Sequence, residues 1–397
     1  MKYFIAPIVC SAALAISGCG GSGSSAPAKS TLAVIGDVPY GTTATDTAQT
    51  TALPAFLKAL DSDADVSLVL HVGDIHSGSQ YCTQAYNLTV ATDWKALTHP
   101  LVYAPGDNEW TDCHKAKEGG GSYNATTGKI DYKVDGSGNL INYAGGDPLA
   151  NLDLVRSIFF AKPGKTLGAA MDVHSQALEY DAAFPTDSAY TENVWFKKSN
   201  VLFVTANIPG GSNNDTDPWY GAPAMSPAQS QEVANRSAAN KRWLDVAFAR
   251  AVADNAMAVV IQVQADMWDL DGKAASHLAQ YKQFVDLIAA RAKAFGKPVL
   301  LINGDSHIYR SDNPLVSAAG CLAEPSAGQP AVACSDDVYA NQPGGYDVPN
   351  FHRLVVHGST LPLEWLKLTI DPGYDSMAAA GPMRFGPFSW QRMQPAL

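Results

Sequence analysis

The chain has 397 residues, 46% of them hydrophobic and 16% charged, a make-up that excludes both a disordered chain and a multi-span membrane protein. Its formal net charge of −11, with no run of Lys or Arg, excludes the electrostatic footprint of a nucleic-acid binder. An anionic small molecule bound here must therefore be held by local positive charge, such as a metal ion.

The chain opens MKYFIAPIVCSAALAISGCGG, one lysine followed by an apolar run shorter than the ~20 residues that a membrane-spanning helix needs, which reads as a secretory signal over residues 1–18. It closes with Ile16-Ser17-Gly18-Cys19, which resembles the bacterial lipobox, so Cys19 is expected to carry lipid and become the mature N-terminus. The Gly/Ser-rich stretch 19–30 reads as a linker to the membrane. Nothing acidic directly follows Cys19, which by resemblance implies a lipid-anchored protein of the cell envelope, at the outer membrane and facing periplasm or exterior.

From residue 31 to about 375 the pattern is that of one α/β domain. The run TLAVIG predicts a short buried strand, and Leu53, Phe56, Leu57 and Leu60 predict a helix over 47–61. VSLVLHVG predicts a second strand, residues 84–98 a helix, and PLVYAPG a third strand. Residues 115–147 interrupt this alternation, and the turn Asp-Gly-Ser-Gly-Asn between alternating segments predicts a hairpin insertion. NVLFVTANIPGG returns to strand. Ser226-Pro227 then supplies an N-cap and a first-turn proline for a helix whose apolar stripe is Trp243, Leu244, Ala247, Phe248, Ala251 and Val252. AMAVVIQVQ, PVLLING, FHRLVVHG and LEWLKLTID predict further strands, with a helix over 277–295, and residues 376–397 read as a tail without signal. Beyond Cys19, the cysteines Cys82, Cys113, Cys321 and Cys334 can form two disulfides in an oxidising compartment. Pairing Cys82 with Cys113 and Cys321 with Cys334 is favoured because each pair lies in neighbouring loops; a zinc site is the rival, without C-x-x-C spacing to support it.

Four of the apolar runs end in Gly-Asp: Gly36-Asp37, Gly73-Asp74, Gly106-Asp107 and Gly304-Asp305. Gly-Asp is a common turn, and Asp147 in GGD reads as no more than that. Four at successive strand ends are another matter, because ligand sites of layered α/β folds form beyond the carboxyl ends of strands. Carboxylates gathered there repel unless protonated or bridged by cations, so the series points to a metal site.

In order and strand context these motifs resemble the calcineurin-like metallophosphoesterases, with the motif order of the purple acid phosphatases and several histidine ligands replaced. The matching stretches are Gly36-Asp37-Val38-Pro39, Gly73-Asp74, Gly106-Asp107-Asn108-Glu109, Gln264 in IQVQADMW, and Gly304-Asp305-Ser306-His307. The resemblance implies a four-layer αββα sandwich with one or two divalent metals at one end of its sheets. Asp37 and His307 would bind the first metal, Asp74 would bridge, and Asp107 and Asp305 would bind the second, with Gln264 in the place of another ligand. It implies hydrolysis of a phosphomonoester or phosphodiester by a metal-activated water.

Pro39 stands where the pattern carries a histidine, Asp107 where it carries asparagine, and Asn108 where it carries the histidine that protonates the leaving group. Asp305 replaces a further imidazole. Such a hard, oxygen-rich set favours Mg²⁺, Mn²⁺ or Ca²⁺ over zinc. His76, two residues after Asp74, is either a ligand or proton donor or an ordinary loop histidine; Glu109 is a supporting partner, and His114 and Tyr40 are weaker candidates. The rival reading is a non-catalytic envelope lipoprotein that keeps the fold to hold a cation or ligand. The variable loops 114–150 and 207–225 are expected to carry specificity.

Overall fold

The computed structural model describes residues 28–214, 216–269, 274–317, 319–334, 344–376, 381 and 383–396; the signal, Cys19 and most of the linker lie outside them. The strands sort into two large sheets because their two faces are both apolar, as a buried parallel strand requires. In Ser30–Ile35, Leu32 and Val34 point into a core shared by both sheets, while Ala33 and Ile35 point to the other face, toward Leu53, Phe56, Leu57 and Leu60 of the helix Ala48–Asp61.

The first sheet runs Arg384–Phe385, Phe388–Met393, Trp365–Ile370, Ser30–Ile35, Val66–His71, Pro100–Tyr103, Leu167–Gly168. Its three central strands from 30 to 103 are parallel. The second sheet is centred on four parallel strands, Val201–Thr205, Ala258–Gln262, Val299–Asn303 and Phe351–Val355. Val260, Leu300, Ile302 and Leu354 meet Val34, Leu70 and Val102 between the sheets. On the outer face of the second sheet, Val259, Ile261 and Leu301 pack under Trp243, Leu244 and Phe248 of the helix Pro227–Ala253 and Phe284, Val285 and Ile288 of Lys282–Phe295. Helix, sheet, sheet, helix: the expected four-layer αββα sandwich is what the chain builds.

Several local readings change. The insertion hairpin pairs Gly121–Asn124 with Lys129–Tyr132, turning at Ala125–Gly128, because Asn124 caps that turn with its side chain; the Asp135–Asn139 turn closes only the single bridge Val134–Leu140. Asp147 is more than a turn residue, since its carboxylate accepts from Ala150 N at 2.8 Å and caps the helix Pro148–Phe159. The helix expected over 277–295 is two pieces, Ala275–Ala279 and Lys282–Phe295. The segment from 376 is not a mere tail, because Phe388–Met393 pairs along Trp365–Ile370 and buries Phe388 and Trp390 between the sheets. The disulfides Cys82–Cys113 and Cys321–Cys334 both form.

Candidate metal centre

The turns Gly36-Asp37, Gly73-Asp74, Gly106-Asp107 and Gly304-Asp305 lie at the carboxyl ends of parallel strands, and the two sheets present those ends together. Glycine is needed for close approach. A methyl on Gly106 would fall 1.9 Å from Asp74 Oδ1, one on Gly304 2.4 Å from Asp37 Oδ2, and one on Gly210 2.6 Å from both Asp107 Oδ2 and Asp305 Oδ1. The carboxylates are thus packed against backbone with no room for side chains. Asp37, Asp74 and Asp305 have φ of 51°, 56° and 74°, and His307 62°, left-handed backbone that non-glycine residues rarely adopt and that clusters at functional sites.

Ligand atoms of Asp37, Asp74 and His307 lie within 4.8 Å of one another. Asp107 and Asp305 converge on Gly210 beside them. At the centre stands Tyr40. Its hydroxyl donates to Asp74 Oδ2 at 2.7 Å, accepts from Asn108 Nδ2 at 3.0 Å, and lies 3.2 Å from His307 Nε2. Asn108 Nδ2 also donates to Asp74 Oδ2 at 3.0 Å.

Gln264 is brought to the cluster with its nitrogen forward, donating to Asp74 Oδ2 at 3.2 Å and Asp107 Oδ1 at 3.1 Å. The amide cannot be reversed without setting N–H against N–H, because its oxygen accepts from Gly210 N. In this arrangement Gln264 is a bridge between carboxylates and presents no ligand atom. Glu109 sits behind the turns: Oε1 accepts from Gly106 N at 2.7 Å, Asp74 N at 3.2 Å and the Tyr103 hydroxyl, fixing both Gly-Asp backbones. Asp266 does the same for Asp305, its N donating to Asp305 Oδ2 at 3.0 Å while its carboxylate takes Ser306 Oγ and the buried Arg353.

His76 lies apart from the cluster, buried edge-on to Tyr86 and beside the Cys82–Cys113 disulfide. His114 accepts from Tyr220 N at 2.9 Å, and the carboxylates near it, Asp112 and Asp217, already share the Lys115 ammonium at 2.6 and 3.2 Å. Tyr40, one of the weaker candidates from the sequence, is central to the site; the signal for it is its position, three residues after the first strand-end aspartate.

The electrostatics of the cluster are set by burial and by mutual repulsion of its carboxylates. Burial, and then the charges of Asp107, Glu109 and Asp37, hold the Asp74 carboxyl far above the usual range. Burial and the charges of Asp107 and Glu109 do the same for Asp37, and burial with Asp107 and Asp269 for Asp305. Asp107 is pushed up to about 7, by burial first and Asp112 second. Asp37 Oδ2 is buried without a hydrogen-bond partner. A divalent cation among these oxygens would give that atom a partner and cancel the repulsion, so the donor set fits a hard metal. Gly210→Ala should displace the Asp107 and Asp305 carboxylates and cost divalent-metal affinity on the order of tenfold or more; calorimetric Mn²⁺ titration at wild-type affinity would contradict this.

Residues 30–237 match the family described as calcineurin-like phosphoesterase. A purple acid phosphatase from seeds of yellow lupin (Lupinus luteus) is 12% identical, with a TM-score of 0.37 covering 86% of this chain and 49% of that one, so the chain spans about half its length. No curated protein matches the chain.

Proposed function

From the premise that the chain belongs to the calcineurin-like phosphoesterase family, we propose that it hydrolyses phosphomonoesters or phosphodiesters at the Asp37–Asp74–His307 cluster. The single observation that carries the reading is the convergence of Asp37, Asp74, Asp107 and Asp305 with His307 at one end of the two sheets. Asp37, Asp74 and His307 would hold one cation, and Asp107 and Asp305 a second, of the Mg²⁺, Mn²⁺ or Ca²⁺ class. When bound, such cations neutralise phosphate charge and ready a water for attack on phosphorus.

The chain's own groups set the rest. Tyr40, Asn108 and Gln264 all donate to Asp74 Oδ2, while Asn108 N donates to Oδ1, so both oxygens of that carboxylate are fixed. His307, the most exposed member at 37% of its side chain, opens the cluster to solvent and is where substrate enters. Asn108 donates a hydrogen bond but has no proton to give a departing alkoxide, and a missing general acid typically costs about 10² to 10⁴ in rate. The expected substrates are therefore esters whose leaving group needs no proton. With Mn²⁺, aryl esters such as p-nitrophenyl phosphate or its diester should be cleaved, and alkyl esters about 10² or more slower. A folded, metal-loaded protein inert toward both classes would defeat the proposal and favour the non-catalytic cation-binding reading, which the loss of all but one imidazole from the cluster supports.

Anchorage to an envelope membrane through lipid on Cys19 is part of this proposal, from the lipobox-like sequence alone. Cys19→Ser should move the protein from the membrane to the soluble fraction; unchanged membrane recovery would refute the anchor.

A further inference from the structure

The loop after the strand Val201–Thr205 carries four consecutive residues in left-handed backbone, Gly211, Ser212, Asn213 and Asn214, with φ from 58° to 60°. Three of them are not glycine, so this conformation persists only because its surroundings impose it. Ser237, Trp219 and Gln229 hold parts of it, and one charged side chain ties it to the metal centre. Arg236, on the helix Pro227–Ala253, is wholly buried, and its guanidinium donates to Asn213 Oδ1 at 2.5 Å, to Asn213 O at 3.0 Å and to Asn207 O at 3.3 Å. Glu232, one turn earlier, holds the fork in plane by accepting from Nε at 2.6 Å.

The same guanidinium covers the Trp110 ring, 5.3 Å from its centroid. Trp110 N donates to Asp107 O at 3.2 Å, closing the turn that presents Asp107. On the other side, the left-handed segment follows directly on Gly210, where any added Cβ would strike Asp107 and Asp305 and whose N–H orients Gln264. Arg236 therefore grips two loops that meet at one half of the centre, and none of its hydrogen bonds reaches Asp37, Asp74 or His307.

We infer that Arg236 is a positioning residue for the Asp107–Asp305 half of the centre, fixing the cation held there by locking the left-handed turn against those carboxylates. The inference rests on the metal reading above, and goes beyond it by making one half of the centre separately adjustable from a helix. Partners of this kind behind metal ligands typically contribute about 10- to 100-fold in affinity.

The test is calorimetric Mn²⁺ titration of the wild-type protein, Arg236→Lys, Asn213→Ala and the double variant, with Asp107→Asn marking the equivalent that belongs to this half. Lysine keeps the charge beside Glu232 but lacks the planar fork. The expected result is a loss of about tenfold or more at the Asp107 equivalent in each single variant, the other equivalent unchanged, and a double variant no weaker than the worse single one, because both break one contact. Wild-type binding of both equivalents in the two single variants overturns the inference, as does equal weakening of both equivalents in a folded variant. Where Arg236→Lys does not fold, Asn213→Ala decides by the same criteria. A wild-type protein that binds one equivalent overturns this inference alone, whereas one that binds no Mn²⁺ overturns the metal reading with it.

Discussion

Asp74→Asn is expected to abolish tight divalent-metal binding and to lower any phosphoesterase rate by at least about 10³, while leaving the metal-free protein no less stable than the wild type at pH 8. The catalytic half follows from geometry. Asp74 is the carboxylate that faces both the Asp37–His307 group and, through Gln264, Asp107, so its charge is the one that cations held by either group would draw on. Metal ions contribute several kcal/mol of charge stabilisation to such reactions, equivalent to about 10³ in rate. The stability half follows from burial. The substitution costs one acceptor, Asp74 Oδ1 for Asn108 N at 3.2 Å, a net contribution of about 1 kcal/mol. It also removes a buried negative charge facing three others, which offsets that loss. Isothermal titration and thermal melts in chelator separate the two effects. Metal affinity that survives the change would remove Asp74 from the centre.

Metal-free protein should lose stability as pH rises from 7 to 8.5, and a saturating divalent cation should abolish that loss. The sign follows from proton counts. Asp107, with a folded pKa of about 7, and Asp37, Asp74 and Asp305, raised by burial and mutual repulsion, bind more protons folded than unfolded, so each loses stability as pH rises above the ordinary carboxylate range. Opposing them, His71, His114 and His352 are each lowered by burial to about 4; they bind fewer protons folded, so stability gained from them rises with pH until the unfolded value near 6.5 is passed. Below that point three imidazoles offset most of the effect of four carboxylates and the slope is shallow; above it the imidazoles no longer contribute and the downward slope steepens. Bound cations keep the carboxylates ionised in the folded state and remove the slope. Melting temperatures from pH 5 to 8.5, with chelator and with Mn²⁺, test this. A metal-free protein that keeps gaining stability from pH 7 to 8.5 would show that the carboxylates are not confined together.

The layered fold was legible because its signals are local. A strand buried on both faces must read as a continuous apolar run, as LAVI and VVIQ do, and a helix lying on a sheet must repeat its apolar residues every three or four positions, as Leu53, Phe56, Leu57 and Leu60 do. The strands at the margins were harder to see. Phe388–Met393 offers only alternate buried positions, and two-residue strands such as Leu167–Gly168 have no period at all.

The sequence by itself determined which residue types stand at the strand ends, and therefore that carboxylates and one histidine would form the site if the ends met. Only the tertiary structure decided that they do meet, because strand order sets Asp305 N within 3.1 Å of Asp37 Oδ1 across 268 positions of chain. It also decided roles that depend on direction rather than identity. Gln264 turns its nitrogen to the carboxylates because Gly210 N claims its oxygen, Glu109 faces backbone rather than the centre, and Tyr40 reaches Asp74 across two loops. Side-chain direction is fixed by neighbours brought together from distant segments, and no local pattern of residues encodes who those neighbours are.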